Sequence, residues 1–215
     1  NGEINTIRGN RQWARARASI LSSPLLPNLN ELQPLVSMQG SDSFSLDNML
    51  VILLAGGLDL PQALRLLMPP AWQTVPAIDP DLRAFYEFYG MHMEAWDGPA
   101  GIVLCDGRFA ACALDRNGLR PARWVQLANG HLIVSSEVGV ADYQETEVIA
   151  KGKLGPGQML VLDLQHGRLI NNEQIDNDLK QRAPYRQWLR EGVSYLDSDL
   201  IDRALLEQPM SDEEL

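Results

Sequence analysis

The sequence predicts an α+β fold, a layered sandwich of helices and antiparallel sheet. Two observations carry that expectation. Apolar residues in the first half recur at helical spacing, and in the second half they collapse into short runs separated by Asp-Gly, Asn-Gly and His-Gly pairs. Helices followed by hairpins rich in apolar residues bury their faces best as stacked layers.

Residues 6–20 read as a helix with Asn5 or Thr6 as its cap, although its apolar stripe is thin. Residues 25–38 contain Pro27 and Pro34 and follow Pro24, so they read as a loop with at most short helical turns. A second helix is expected over Ser43 to Ala55, with serine at its cap and Asp47 in its first turn, ended by Gly56-Gly57. Leu60, Ala63, Leu64 and Leu67 keep helical spacing and stop before Pro69-Pro70. Leu82, Phe85, Tyr86 and Tyr89 repeat the pattern, with Asp79 as cap and Pro80 at the first helical position. Three hairpins follow. The first joins Ala100–Cys105 to Arg108–Leu114 through Asp106-Gly107, and the second joins Trp124–Ala128 to His131–Ser135 through Asn129-Gly130. The third joins Met159–Leu164 to Arg168–Ile170 through His166-Gly167. Runs such as Gly101–Leu104 and Leu132–Val134 do not alternate, which predicts strands covered on both faces.

Composition narrows the function classes. The chain has 215 residues, 45% hydrophobic and 21% charged, which is the profile of a globular domain large enough to bury its own core. Lys plus Arg number 18 against 28 Asp plus Glu, a formal charge of -10, so neither nucleic acid nor an anionic membrane surface is an expected partner. No apolar run approaches the roughly 20 residues of a membrane span. Two cysteines, Cys105 and Cys112, give no disulfide framework, so a cytoplasmic setting is expected. Four arginines (Arg8, Arg11, Arg15 and Arg17) gather near the start, where a solvated helix face or a contact with another domain is the expected role. Eight acids between Glu191 and Glu214 face only Arg203, so residues 196–215 read as an acidic linker after a domain spanning 1–195.

Four stretches carry chemistry. The Asn1-Gly2 pair can be a tight turn, or it can aim a side-chain amide and a backbone N–H at one point, as an oxyanion hole does. In Gly40-Ser-Asp-Ser-Phe-Ser-Leu-Asp-Asn48, Asp42 lies at a helix start, where it can cap the helix or pair with a ligand ammonium. Trp96-Asp-Gly-Pro-Ala100 reads as entry to a strand, and Leu114-Asp-Arg-Asn-Gly-Leu-Arg-Pro-Ala-Arg123 as a polar turn held by local ion pairs. Cys105 and Cys112 read as small apolar strand residues. His92, His131 and His166 are scattered, so neither a Cys–His pair nor zinc spacing is present. The five tryptophans are dispersed and read as packing residues.

Taken together, these four stretches resemble the class II glutamine amidotransferase domain of the glutamate synthase large subunit, from Asn1 to about Lys180. The resemblance implies an Ntn-hydrolase fold, a four-layer αββα sandwich. It implies an amino-terminal cysteine nucleophile, an oxyanion hole formed by Asn1 and Gly2, and Asp42 as the partner of the glutamine α-ammonium. It also implies FMN, an iron–sulfur cluster, NAD(P)H or ferredoxin as electron source, synthase domains in the same complete chain, and a small reductase subunit. No cofactor is expected within this segment. The nucleophile and the arginine for the substrate carboxylate are missing from residues 1–215, so an incomplete domain, inactive alone, is expected. Sibling class II amidotransferases such as asparagine synthetase or amidophosphoribosyltransferase share the Asn-Gly and Asp logic but not all four stretches. A regulatory domain of the same fold without the nucleophile is the alternative of another class.

Overall fold

The computed structural model describes residues 2–193, so the expected acidic linker over 196–215 lies outside the described residues. Helices α1 (Ile7–Arg17), α2 (Asp42–Ala55), α3 (Leu60–Leu67) and α4 (Pro80–His92) come first. Strands β1 (Gly101–Cys105), β2 (Phe109–Leu114), β3 (Arg123–Leu127), β4 (Leu132–Ser135), β5 (Val148–Lys153), β6 (Met159–Asp163) and β7 (Arg168–Ile170) follow. Helices α5 (Asn172–Gln181) and α6 (Tyr185–Gly192) close the described chain. The strands form two antiparallel sheets, ordered β1-β2-β6-β7 and β4-β3-β5.

The α+β class is therefore present, and the three expected hairpins are β1–β2, β3–β4 and β6–β7. Strand β2 shows how the layers stack. Phe109, Ala111 and Ala113 join the main core beneath the helices, while Cys112 and Leu114 join a smaller cluster with Val134 of the second sheet and with Ala122 and Leu154, which flank its strands β3 and β5. Successive side chains point to opposite faces, so this one strand binds a helical layer on one side and a second sheet on the other.

Burial on both faces does not extend to β1. Ile102 and Leu104 pack on the main core, but Val103 is 70% exposed and Cys105 is also exposed. The strand lies at the end of its sheet, so its outer face lacks the second-sheet cover that β2 has; the run of apolar letters overstated its burial. Two caps also shift. Ser41, not a serine inside the run, caps α2 by accepting from the Phe44 N–H at 3.2 Å, and Asp42 rather than Asp47 occupies the first turn. Thr6 precedes α1 without capping it through its side chain, because its hydroxyl is engaged with Asn10 and Asp97. Asp79 caps α4, accepting from the Asp81 and Leu82 N–H groups at 2.9 and 3.0 Å.

Helix α3 lies at the centre, with all eight of its residues buried. Its buried Arg65 is held by Asp176 at 2.9 Å, the Gly157 carbonyl at 2.8 Å and Asn172 Oδ1 at 2.7 Å. One cation thereby joins the helical layer to the β5–β6 turn and to α5.

Candidate active site

The site is organised around the segment from Gly2 to Thr6. Ile4 is 2% exposed and anchors it in the main core. Gly2 pairs with Ala100 in an antiparallel bridge. The Glu3 N–H donates to the Pro99 carbonyl at 3.0 Å, and the Thr6 N–H donates to the Asp97 carbonyl at 3.3 Å. The Thr6 hydroxyl accepts from the Asp97 N–H at 3.0 Å. Because extended backbone alternates its N–H direction, a ladder bond taken by Glu3 turns the Gly2 N–H away from the Pro99–Ala100 segment. Among the described residues, none accepts from the Gly2 N–H.

Gly98 makes this close approach possible. It has φ +152, and a Cβ there would lie 2.0 Å from the Glu3 carbonyl oxygen and 2.7 Å from the Asn5 nitrogen. Only a residue without a side chain lets the two backbones meet in this way.

Asp42 arrives from the other side. Its Oδ2 accepts from the Ile4 N–H at 2.8 Å, so the first turn of α2 is tied to the Gly2–Thr6 segment. Its Oδ1 has no hydrogen-bond partner among the described residues, and the carboxylate lies at a helix N-terminus, where negative charge is favoured. Arg11 holds the preceding turn: its Nε donates to Ser45 Oγ and its Nη2 to the Gly40 carbonyl, both at 3.0 Å. Arg17 pairs with Glu94 and lies over the Trp13 ring. Two of the four clustered arginines are thus internal ties of α1, whereas Arg8 and Arg15 remain on its exposed face.

The structure brings two of the three expected site residues, Gly2 and Asp42, onto the same short segment. Asn1 lies outside the described residues. Cys112 is buried, and burial pushes its thiol up to about 11, so it stays protonated and inert near neutral pH. Cys105 is exposed at a hairpin, where its sulfur accepts from the Gly107 N–H at 3.3 Å. Among the described residues, no group of three or more His, Cys, Asp or Glu side chains is placed to hold a metal. The sequence reads Asp97 and Gly98 as entry to a strand and Asp115 as part of a polar turn. Nothing local marks them as supports of the Gly2 segment: Asp97 and Gly98 meet it across more than 90 positions, and Asp115 acts on it through Ala100, 15 positions away.

Helices over two antiparallel sheets, with the segment that starts at Gly2 tied to a carboxylate at a helix start, fit the α+β fold of the Ntn-hydrolase type. The chain belongs to the class II glutamine amidotransferases, whose family it matches over residues 1–188. It is 40% identical over 200 residues to the ferredoxin-dependent glutamate synthase of Antithamnion sp., covering 92% of this chain and 13% of that protein. It is 40% identical over 204 residues to the NADH glutamate synthase of Schizosaccharomyces pombe, 94% of this chain and 9% of that protein. The NADPH glutamate synthase large chain of Bacillus subtilis is 39% identical over 200 residues, 93% of this chain and 13% of that one. The chain thus spans about a tenth of the length of these relatives.

Proposed function

We propose that this chain is the later part of the glutamine-hydrolysing domain of a glutamate synthase. The observation that carries the reading is the unspent Gly2 N–H beside a half-satisfied Asp42 carboxylate, on a segment that belongs to a class II amidotransferase. A thiolate supplied by an amino-terminal cysteine of the complete protein attacks the side-chain amide carbon of glutamine, forming a C–S bond and an oxyanion. The Asn1 side-chain amide and the Gly2 N–H stabilise that oxyanion. Asp42 pairs with the substrate α-ammonium through its free oxygen. The intermediate collapses with loss of ammonia, and water then cleaves the thioester to release glutamate. The relatives reported above are glutamate synthases, which favours this reading over a sibling amidotransferase.

In the complete protein, the ammonia meets 2-oxoglutarate at synthase domains that carry FMN and an iron–sulfur cluster, with NAD(P)H or ferredoxin as donor and a small reductase subunit as partner. Residues 1–195 form the amidotransferase part and 196–215 lead to the next domain. Among the described residues, no helix is long and apolar enough to cross a membrane, and both cysteines are free; a cytoplasmic setting fits.

The test is glutamine hydrolysis by the full-length protein, with its first residue read by mass spectrometry. An amino-terminal cysteine with a free amine is expected. Asn1→Ala should lower kcat by about 10²–10³, the usual loss for one oxyanion donor. Asp42→Asn should raise KM for glutamine. Residues 1–215 alone should show no turnover. A different first residue, or wild-type kinetics in both variants, overturns the reading.

A further inference from the structure

The stretch Leu114–Arg123 has no part in the chemistry above, yet it holds the strand against which Gly2 is set. Asp115 is 4% exposed. Its Oδ1 accepts from the Ala100 N–H at 3.0 Å, and its own backbone N–H donates to the Ala100 carbonyl at 3.0 Å. Both polar groups of Ala100 are therefore spent on Asp115. Its Oδ2 accepts from the Asn117 and Gly118 N–H groups at 2.9 and 3.1 Å, which closes the turn around the carboxylate. The Asp115 carbonyl accepts from the Gly157 N–H at 2.8 Å, and Gly118, at φ +60, lies so close to Pro156 that a Cβ would sit 2.8 Å from its Cα. The next residue, Arg116, pairs with Asp97, adding a second tie to the same strand entry.

This arrangement sets the register of the Gly2 bridge. With Ala100 occupied on both groups, the ladder to the Gly2 segment falls on the Pro99 carbonyl and Glu3 N–H. Gly2 then sits in a non-hydrogen-bonded pair, its N–H turned to the opposite side and left unspent. A slip of one residue would reverse the direction of every N–H in the segment and consume the one that faces the site.

We infer that Asp115 is a positioning residue for glutamine hydrolysis: by engaging both the N–H and the C=O of Ala100, it fixes the bridge register that leaves the Gly2 N–H free as an oxyanion donor. The inference rests on the function proposed above and deepens it. Asp115→Asn is the informative variant, because an amide keeps the volume but presents an NH₂ donor to N–H groups that need an acceptor. In the full-length protein it should lower kcat for glutamine hydrolysis by about 10²-fold, the scale of a misplacement of about 1 Å. KM for glutamine should not change, because Asp42 reaches the segment independently. Amides of residues 2–6 should exchange with deuterium faster than in the wild type, while those of α5 keep their rate.

Each failure has its own signature. A wild-type protein without glutaminase activity refutes the proposed function. The exchange rates of residues 2–6 still decide whether Asp115 sets their register. Unchanged exchange in Asp115→Asn, or an active wild type whose variant shows a raised KM at unchanged kcat, overturns the inference. If Asp115→Asn does not fold, Asp115→Glu keeps the charge but displaces the carboxylate by a methylene. It should show the same changes to a smaller degree, and wild-type behaviour there is likewise fatal to the idea.

Discussion

Gly98 and Asp42 show how individual residues prepare the site. At Gly98 the backbone of the strand entry meets the backbone of the Gly2–Thr6 segment with no room for a Cβ. Gly98→Ala should force the two apart. The clash is with main-chain atoms, which cannot step aside as the end of a flexible side chain can, and the positive φ adds backbone strain. The expected result is faster amide exchange at residues 2–6 and a loss of about 1–3 kcal/mol, read by urea denaturation. Asp42 illustrates a division of labour within one carboxylate. One oxygen secures Ile4 and the other has no partner among the described residues, so removing the carboxylate should loosen the segment, whereas Asp42→Asn preserves an acceptor for Ile4 and tests the proposed pairing with the substrate ammonium.

Among the elements, the helix starts are where local chemistry and tertiary contacts combine. The Asp79 carboxylate caps α4 and also pairs with Lys180 of α5 at 2.9 Å. The Lys180 hydrogen bond, followed by the bond from Leu82, holds this carboxyl below the usual carboxylate range. A depressed folded-state pKa means that the stabilisation is present above the unfolded pKa. It is lost as pH falls through the lower folded value. Asp79→Ala should therefore destabilise the chain by about 1 kcal/mol near neutral pH, the usual value of an N-cap, and by progressively less as the medium is acidified below pH ~4. Chemical denaturation of wild type and variant across that range checks the sign; a difference that grows on acidification would contradict it. Helices α4 and α6 also meet through rings, with Phe88 5.5 Å from Tyr185 and 5.1 Å from Trp188 by centroid, an aromatic seam that fastens the last described helix to the layer.

Over the whole molecule, Arg65 has the widest reach. It sits in the most deeply buried helix and satisfies acceptors from the β5–β6 turn and from α5. Burial raises the pKa of its partner Asp176 while the Arg65 charge opposes that rise, so the pair is held together at the cost of desolvation. Arg65→Met keeps the apolar stem but removes the cation paired with Asp176, which keeps only the neutral donors Asn172 and Tyr86, and it leaves the Gly157 carbonyl without its donor. It should cost about 3 kcal/mol, measured by urea denaturation, since one partner of a buried pair is removed. A loss of a few tenths would mean that water replaces the guanidinium freely.

Much of this architecture was legible in the order of residues. Proline and glycine punctuation, Asp79-Pro80 and the three glycine-containing hairpin turns mark α2, α3, α4 and three strand pairs, because caps and tight turns depend on neighbours within a few positions. The family was likewise visible in its motifs, whereas the roles of Asn1, Gly2 and Asp42 rest on the proposal above. What the sequence could not show is which groups meet over long separations. Strand β5, with its polar Lys-Gly-Lys end, becomes a strand only by pairing with β3, and β1 is exposed on one face because of its place at the sheet edge. The unspent Gly2 N–H exists because Asp115, 15 positions beyond Ala100, occupies that residue's hydrogen-bonding groups. Local propensity determines where the chain turns and curls, but the direction in which a backbone N–H finally points depends on the strand laid beside it, and only the tertiary structure decides that.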